Sequence, residues 1–250
     1  MNVGINCYSN HAPKTEWLSA FFKGEDYLVN LGGPQQSKFK RFLKDAGLVD
    51  SKNETALCKK IKEMNWTSQV SLSLMLINLA FTPQVNWYIK NMACGVEYQR
   101  KEIEGMLEAA GQSQGNISSI MNGFKRICDL PFGTKLNFGI VADLGAKQSC
   151  FCRSKINVSD AKVLLYSLYK FAEACEGYYE FTLSRLMDFD VESAGVSPAE
   201  IFGLERDELE QFLHGLARNY PDFISFATTH DLEVIRLADD KKSEDVLTLF

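Results

Sequence analysis

Length, composition and charge exclude several classes of protein. The chain has 250 residues, a net charge of −5 and 46% hydrophobic residues, which is enough for one large domain or two to three small ones. No secretory signal opens the sequence, and the longest apolar run, Leu72–Phe81, is shorter than the roughly 20 residues that span a bilayer. Seven scattered cysteines favour reduced thiols over a disulfide framework. We therefore expect a folded, cytoplasmic protein with no membrane partner.

The charges are divided unevenly along the chain. Residues 34–62 contain eight Lys or Arg against three Asp or Glu, and residues 115–155 contain six against two. From residue 173 to the end there are six against eighteen. Because attraction to phosphate is local and is screened within about 10 Å, the two basic blocks permit DNA binding on a protein that is acidic on average.

The first strong helical pattern covers residues 34–46. Residues 1–14 show no period, and Thr15 predicts the cap of a short helix that precedes the pattern. After a glycine turn, apolar residues recur at i, i+3, i+4 and i+7, which predicts a buried stripe. The stripe consists of Phe39, Phe42, Leu43 and Ala46.

The outer face of this helix carries amide and basic side chains, the types that bind phosphates and contact base edges in the major groove. The candidate DNA-binding residues are Gln35, Gln36, Ser37, Lys38, Lys40, Arg41 and Lys44. A short amphipathic helix of this kind is typical of the second helix of a helix-turn-helix. An ordinary surface helix with a solvated charged face gives the same pattern, so both interpretations stay open.

An unusually apolar segment follows another short helix at residues 54–64. From Thr67 the chain is apolar on nearly every side until Pro83 interrupts the pattern. A helix that is apolar all round is buried all round. Residues 67–92 therefore predict two helices that form a buried hairpin and support the basic blocks.

A similar motif recurs after a charged helix predicted at Glu97–Ala110. Asn116 caps a helix with one apolar stripe, and the period then shifts to two over residues 135–142 and 148–156, which predicts a β-hairpin. Helix, turn, polar helix and hairpin is the order of a winged helix. The candidate DNA contacts on the polar helix are Ser118, Ser119, Asn122, Lys125 and Arg126, and those on the wing are Lys147, Arg153 and Lys155.

The last third has the same order with an acidic outer face. A long helix is predicted from Ser159, and further helices at residues 178–187 and 207–219. Between these two, the capping box at Ser197 predicts the start of another helix. Residues 223–227 and 232–237 then predict a β-hairpin, and Ser243–Phe250 a final helix. The excess of carboxylates suits a protein partner or a packing role better than DNA.

Motifs for catalysis are missing from the sequence. It contains no phosphate-binding glycine loop, His-Glu-x-x-His, Cys-x-x-Cys or nucleophile elbow. Cys150 and Cys152 would share one side of a strand without further ligands nearby in sequence. Asp222, Asp231 and Glu233 are similar to nuclease metal ligands but lack the lysine that should follow. We predict no enzyme activity, no metal and no cofactor.

Several segments together resemble an uncharacterised bacterial domain linked to DNA phosphorothioation and phage-defence loci. They are Leu31-Gly32-Gly33-Pro34-Gln35-Gln36, the run from Phe39 to Val49, Leu76-Ile77-Asn78-Leu79-Ala80 and Val85-Asn86-Trp87-Tyr88. The same elements are similar to the region after the catalytic domain of phosphoadenosine-phosphosulfate-reductase-like proteins. Ser197-Pro198-Ala199-Glu200-Ile201-Phe202-Gly203-Leu204 and Tyr220-Pro221-Asp222-Phe223-Ile224 extend this second likeness, so that the resemblance covers roughly residues 15–250.

The resemblance implies an accessory DNA-handling module in the sulfur modification of DNA, because no catalytic motif accompanies it. We thus predict an α+β, mostly α protein of tandem winged-helix-like units around a buried helical core. The predicted units are residues 1–92, 93–157 and 158–250. The favoured partner is double-stranded DNA. The alternative is an adaptor that docks a sulfur-transfer or nuclease partner through the acidic third.

Overall fold

A computed structural model describes residues 4–8, 11, 13–26, 28–51, 53–143, 149–189, 194–229 and 232–250. It is 55% helical with small antiparallel sheets, which confirms the α+β, mostly α class. No helix in this part of the chain is long and apolar enough to cross a membrane.

The chain divides into two compact units, Met1–Lys155 (unit 1) and Ile156–Phe250 (unit 2). The division coincides with the change of charge, because unit 1 has 19 Lys or Arg against 13 Asp or Glu and unit 2 has 8 against 19. The basic blocks thus belong to unit 1. The further division of unit 1 after residue 92 stays a prediction.

The first half of unit 1 is helical around a buried centre. Its elements are α1 (Thr15–Lys23), α2 (Gly33–Asp45), β1 (Val49–Asp50), β2 (Asn53–Glu54), α3 (Ala56–Met64), α4 (Gln69–Ala80) and α5 (Pro83–Asn91). The α4 helix is buried over Ser71–Ile77, as its uniform apolarity predicts. Phe39, Phe42, Leu43 and Ala46 are buried, as the α2 stripe predicts. Lys14, not Thr15, is the N-cap residue of α1.

The second half of unit 1 adds a three-stranded sheet. Its elements are β3 (Glu97–Gln99), α6 (Arg100–Ala109), α7 (Gln114–Asp129), α8 (Pro131–Thr134), β4 (Ile140–Asp143) and β5 (Ser149–Cys152), with antiparallel strand order β3–β5–β4. The prediction of a helix from Glu97 is wrong for its first three residues. They form a strand because they pair with Cys150–Cys152, a partner that local periodicity does not reveal.

Unit 2 has a similar order of elements. They are α9 (Lys162–Ala174), β6 (Glu180–Thr182), α10 (Leu183–Met187), α11 (Pro198–Phe202), α12 (Arg206–Asn219), β7 (Ile224–Thr229), β8 (Leu232–Leu237) and α13 (Ser243–Val246), followed by a 3₁₀ turn at Leu247–Leu249. The strand order is β6–β8–β7. The helix predicted at 178–187 is wrong for its first five residues, because α10 begins at Leu183 and Glu180–Thr182 form a strand. The hairpin of β7 and β8 is confirmed.

Candidate nucleic-acid interface

Helix α7 presents one apolar and one polar side. The Ser113 Oγ accepts a hydrogen bond from Asn116 N (3.4 Å) and caps the helix, so Asn116 lies in the first turn and does not cap it. The apolar stripe that runs from Ile117 to Cys128 is buried. The opposite side carries Ser118, which is exposed, and Ser119, Asn122, Lys125 and Arg126, which are half-exposed. All five predicted residues of this helix therefore share one face.

The charge of this face is positive. Neither Lys125 nor Arg126 forms an ion pair with a described residue, and the only carboxylate on α7 is Asp129 in its last position. The N-terminus of a helix also carries a partial positive charge and unpaired N–H groups. A phosphate backbone is the kind of ligand that such a face attracts.

A buried amide fixes the inner side of α7. The Gln84 Oε1 accepts from Tyr8 N (3.0 Å), and Gln84 Nε2 donates to Ile120 O (3.3 Å). The Cβ of any residue in place of Gly123 would overlap Gln84 Nε2 and displace this amide from its hydrogen bonds. Sequence analysis missed both residues; a glutamine directly after Pro83 in an otherwise apolar segment was the available signal. The contacts leave the polar face of α7 turned away from the core.

The two amides of α2 serve the turn that precedes the helix. The Gln35 Oε1 accepts from Gly32 N (3.0 Å). The Gln36 Nε2 donates to Leu28 O (3.1 Å) and Leu31 O (2.9 Å). These hydrogen bonds close a local turn, so the Gln35 and Gln36 amides are engaged within the protein and are not free to contact bases.

The basic residues of α2 divide into two groups. Lys38 Nζ donates to Cys7 O (2.8 Å), while Arg41 lies 3.3 Å from both Asp45 Oδ2 and Cys7 Sγ. Burial raises the pKa of the Cys7 thiol, and the positive charge of Arg41 offsets only part of this increase. The thiol therefore stays protonated at neutral pH. Ser37, Lys40 and Lys44 are exposed. Arg41 is exposed as well but is paired with Asp45, so Lys40 and Lys44 are the exposed basic residues of α2 without an ion pair to a described residue.

The predicted wing residues occupy different environments. Lys147 lies outside the described residues. Lys155 is exposed, as a phosphate contact requires. Arg153 is only 3% exposed, and its Nη1 donates to Ile89 O (2.9 Å) and Met92 O (3.2 Å). This is a correction: Arg153 ties β5 to the end of α5 and does not face DNA.

The structure thus brings five of the predicted residues together on α7 and places the α2 residues on a second helix. The apolar sides of these helices meet through α8, where Phe132 packs against Phe42 of α2 with ring centroids 6.4 Å apart. Helix α8 begins two residues after α7 ends.

Neither the Cys150 and Cys152 pair nor the group of Asp222, Asp231 and Glu233 is completed by further metal ligands among the described residues. Cys150 Sγ lies 3.8 Å from Glu97 Oε2, and burial together with this carboxylate raises the pKa of the thiol. Glu233 is paired with Arg206, and Asp231 lies outside the described residues. Within the described parts of the chain, no group of three or more His, Cys, Asp or Glu side chains could hold a metal ion.

Comparisons with known proteins show a shared fold. No family model matches the chain, and no curated protein matches it. A magnesium ion-bound crystal structure of SspB matches with a TM-score of 0.65 and 13% identity, over 98% of this chain and 89% of that one. A further crystal structure of SspB matches with a TM-score of 0.65 and 14% identity, over 97% and 88%. At these identities the likeness concerns the fold alone.

Proposed function

We propose that this chain is a non-catalytic DNA-binding component of a DNA phosphorothioation system and that it contacts duplex DNA through the polar face of α7. The observation that carries the proposal is the position of this face. It belongs to the second helix of a helix pair, and the second helix of a helix-turn-helix is the one that enters the major groove.

The helix pair α6–α7 has the features of that motif. Four residues, Ala110–Ser113, join the two helices, and Gly111 adopts a φ of 78°, which favours glycine. Turns of three to four residues that contain glycine are typical of a helix-turn-helix. The connection between α1 and α2, in contrast, has nine residues. The motif therefore favours α7, with Lys40 and Lys44 of α2 as additional phosphate contacts.

The sheet supports a winged-helix assignment of both units. In unit 1 the order β3, α6, α7, α8, β4, β5, with β5 in the centre of the sheet, matches a winged helix to which the short helix α8 is added. Unit 2 has three helices, α10–α12, between β6 and β7, and its central strand is β8. In unit 2, however, the first turn of α12 carries Asp207 and Glu208. DNA binding is thus proposed for unit 1 only.

The biological context rests on two likenesses. SspB, whose fold this chain shares, belongs to a DNA phosphorothioation system. Independently, the segments from Leu31 to Val49 resemble a domain linked to phosphorothioation loci. From the same resemblance we propose that the chain works with a phosphoadenosine-phosphosulfate-reductase-like protein. We also propose that the chain itself is not catalytic.

Lys125 and Arg126 are the basic side chains of the α7 face. We expect Lys125→Ala/Arg126→Ala to weaken binding to a random 30-base-pair duplex by about tenfold or more, and to lower the slope of log K against log salt by about 0.9 per lost phosphate contact. The measurement is fluorescence anisotropy across a salt titration. A loss of similar size on several sequences would identify phosphate contacts.

A matched control removes two exposed basic residues from unit 2. Arg218→Ala/Lys242→Ala changes the net charge of the chain equally. We expect it to retain the affinity and slope of the unaltered chain within about twofold, since screening confines phosphate attraction to short range. Equal losses in both double variants would indicate non-specific attraction and contradict the role of α7.

The adaptor function is the second candidate, and the surface of α12 favours it. Glu205, Asp207 and Gln211 are exposed, and His214 lies 3.6 Å from Glu210. An acidic helix face attracts a basic protein surface. The two functions are compatible, because they use different units.

A further inference from the structure

The sheet of unit 2 ends on a strand that lacks the usual protection of an edge. Its strand order places the six-residue strand β7 at one side. Natural edge strands are blunted by charges, proline, bulges or short length, because an open edge pairs readily with another extended chain. The β7 sequence, Ile-Ser-Phe-Ala-Thr-Thr, contains no charge and no proline. It pairs with β8 in continuous register over all six residues.

Two hydrogen bonds show which backbone groups of β7 point away from β8. Ile224 and Leu237 are register partners. However, Ile224 N donates to Tyr220 O (3.2 Å) and Leu237 N donates to Tyr179 O (2.9 Å). Ile224 and Leu237 are therefore a pair without hydrogen bonds to each other. Because such pairs alternate with hydrogen-bonded ones in an antiparallel ladder, Phe226 and Thr228 also direct their N–H and C=O groups outward.

This outer side is accessible. Ser225, Ala227 and Thr228 are exposed. Phe226 is half-buried, and its ring packs edge-on against His214 of α12 with centroids 4.8 Å apart. Outside the ladder with β8, the backbone of Phe226 and Thr228 forms no hydrogen bond to a described residue. The strand is therefore backed by α12 on one face, and the outward backbone groups of Phe226 and Thr228 have no partner among the described residues.

Charge indicates which kind of chain the edge would take. Asp222, Asp239 and Asp240 are exposed, and they lie near the Ile224 end of β7, because Ala238 N donates to Phe223 O (3.0 Å). Two cations follow these carboxylates in the chain: Lys241 is paired with Asp240 (3.0 Å), and Lys242 is exposed. A lysine- or arginine-bearing strand would be attracted to this end. Pairing with a second copy would instead bring two units of 19 acidic and 8 basic residues together.

We propose that β7 is a strand-addition site that binds an extended, Lys- or Arg-bearing segment of a protein partner. Backbone hydrogen bonds to Phe226 and Thr228 hold the segment, as in other cases of strand addition, and the carboxylates near Ile224 select its charge. The site lies in unit 2 and does not depend on DNA binding by α7.

The test uses the full chain and a fluorescein-labelled peptide of alternating Lys and Val. Binding is measured by anisotropy for the unaltered chain, Thr228→Pro and the matched control Thr228→Ala. Proline at this position removes an outward N–H without removing a bond to β8. We expect Thr228→Ala to bind like the unaltered chain and Thr228→Pro to bind about tenfold more weakly or worse. The same peptide N-methylated at its five central residues keeps its charge and should lose affinity to a similar degree.

Two results would overturn the proposal. The first is equal binding of the methylated and unmethylated peptides, which would show attraction by charge alone. Because this comparison uses the unaltered chain, it decides the matter even if Thr228→Pro does not fold. The second is a dimer of the unaltered chain, seen by light scattering, that Thr228→Pro converts to a monomer. The edge would then belong to a second copy.

Discussion

Replacing Gly133 by alanine is expected to destabilise unit 1 by about 3 kcal/mol or more. Gly133 is buried in α8, and an added Cβ would overlap Cys128 O and lie 2.6 Å from Gly139 O. Both neighbours are backbone atoms, so no side chain can rotate to make room. Relief requires α8 to move away from the end of α7, and with it Phe132, which packs against α2.

Urea denaturation followed by tryptophan fluorescence measures this effect. All three tryptophans, Trp17, Trp66 and Trp87, belong to unit 1, so their signal reports the unit that contains the substitution. With a slope of about 1–3 kcal/mol per molar urea, we expect the midpoint to fall by about 1 M or more.

The matched control is Gly105→Ala in α6. Gly105 is exposed within a helix, and its added Cβ would meet nothing within 4 Å. Alanine there should stabilise the unit by about 0.5–1 kcal/mol, because it restricts the unfolded chain and favours helix. Equal midpoints for the two variants would contradict the close packing of α8 against the end of α7.

Sequence periodicity predicted the helices well and the short strands poorly. The stripe of Phe39, Phe42 and Leu43 and the uniform apolarity of α4 follow from local spacing, and both are buried as expected. The strands β3 and β6 have three residues each and continue directly into helices. Their conformation is fixed by pairing with β5 and β8, far along the chain, which no local pattern contains.

In the candidate site, too, local spacing predicted some features, whereas others depend on distant parts of the fold. The polar face of α7 could be predicted because its five residues share one helix. The role of Gln36 could not, since it depends on the carbonyls of Leu28 and Leu31, which are positioned by the fold of the turn. A basic or amide side chain in a sequence does not show whether its hydrogen bonds go to the protein itself or to a ligand.

Arg153→Ala tests whether a basic residue binds the protein itself or a ligand. We expect a loss of stability of about 2–4 kcal/mol, because the Ile89 and Met92 carbonyls would lose a charged donor in a buried position. Arg153→Met should cost less, since the longer side chain fills the space that alanine leaves empty. Trp fluorescence in urea again gives the measurement.

The exposed Lys155, two residues further along the chain, is the matched control. Lys155→Ala removes the same charge and should change stability by no more than about 0.5 kcal/mol. If Arg153 instead contacted phosphate, its alanine variant would keep the stability of the unaltered chain and lose about 0.9 from the salt slope of DNA binding. The Arg153 guanidinium is buried in unit 1, so we expect Arg153→Ala to lower the urea midpoint of unfolding. Of the two variants, only Lys155→Ala is expected to change the salt slope of DNA binding.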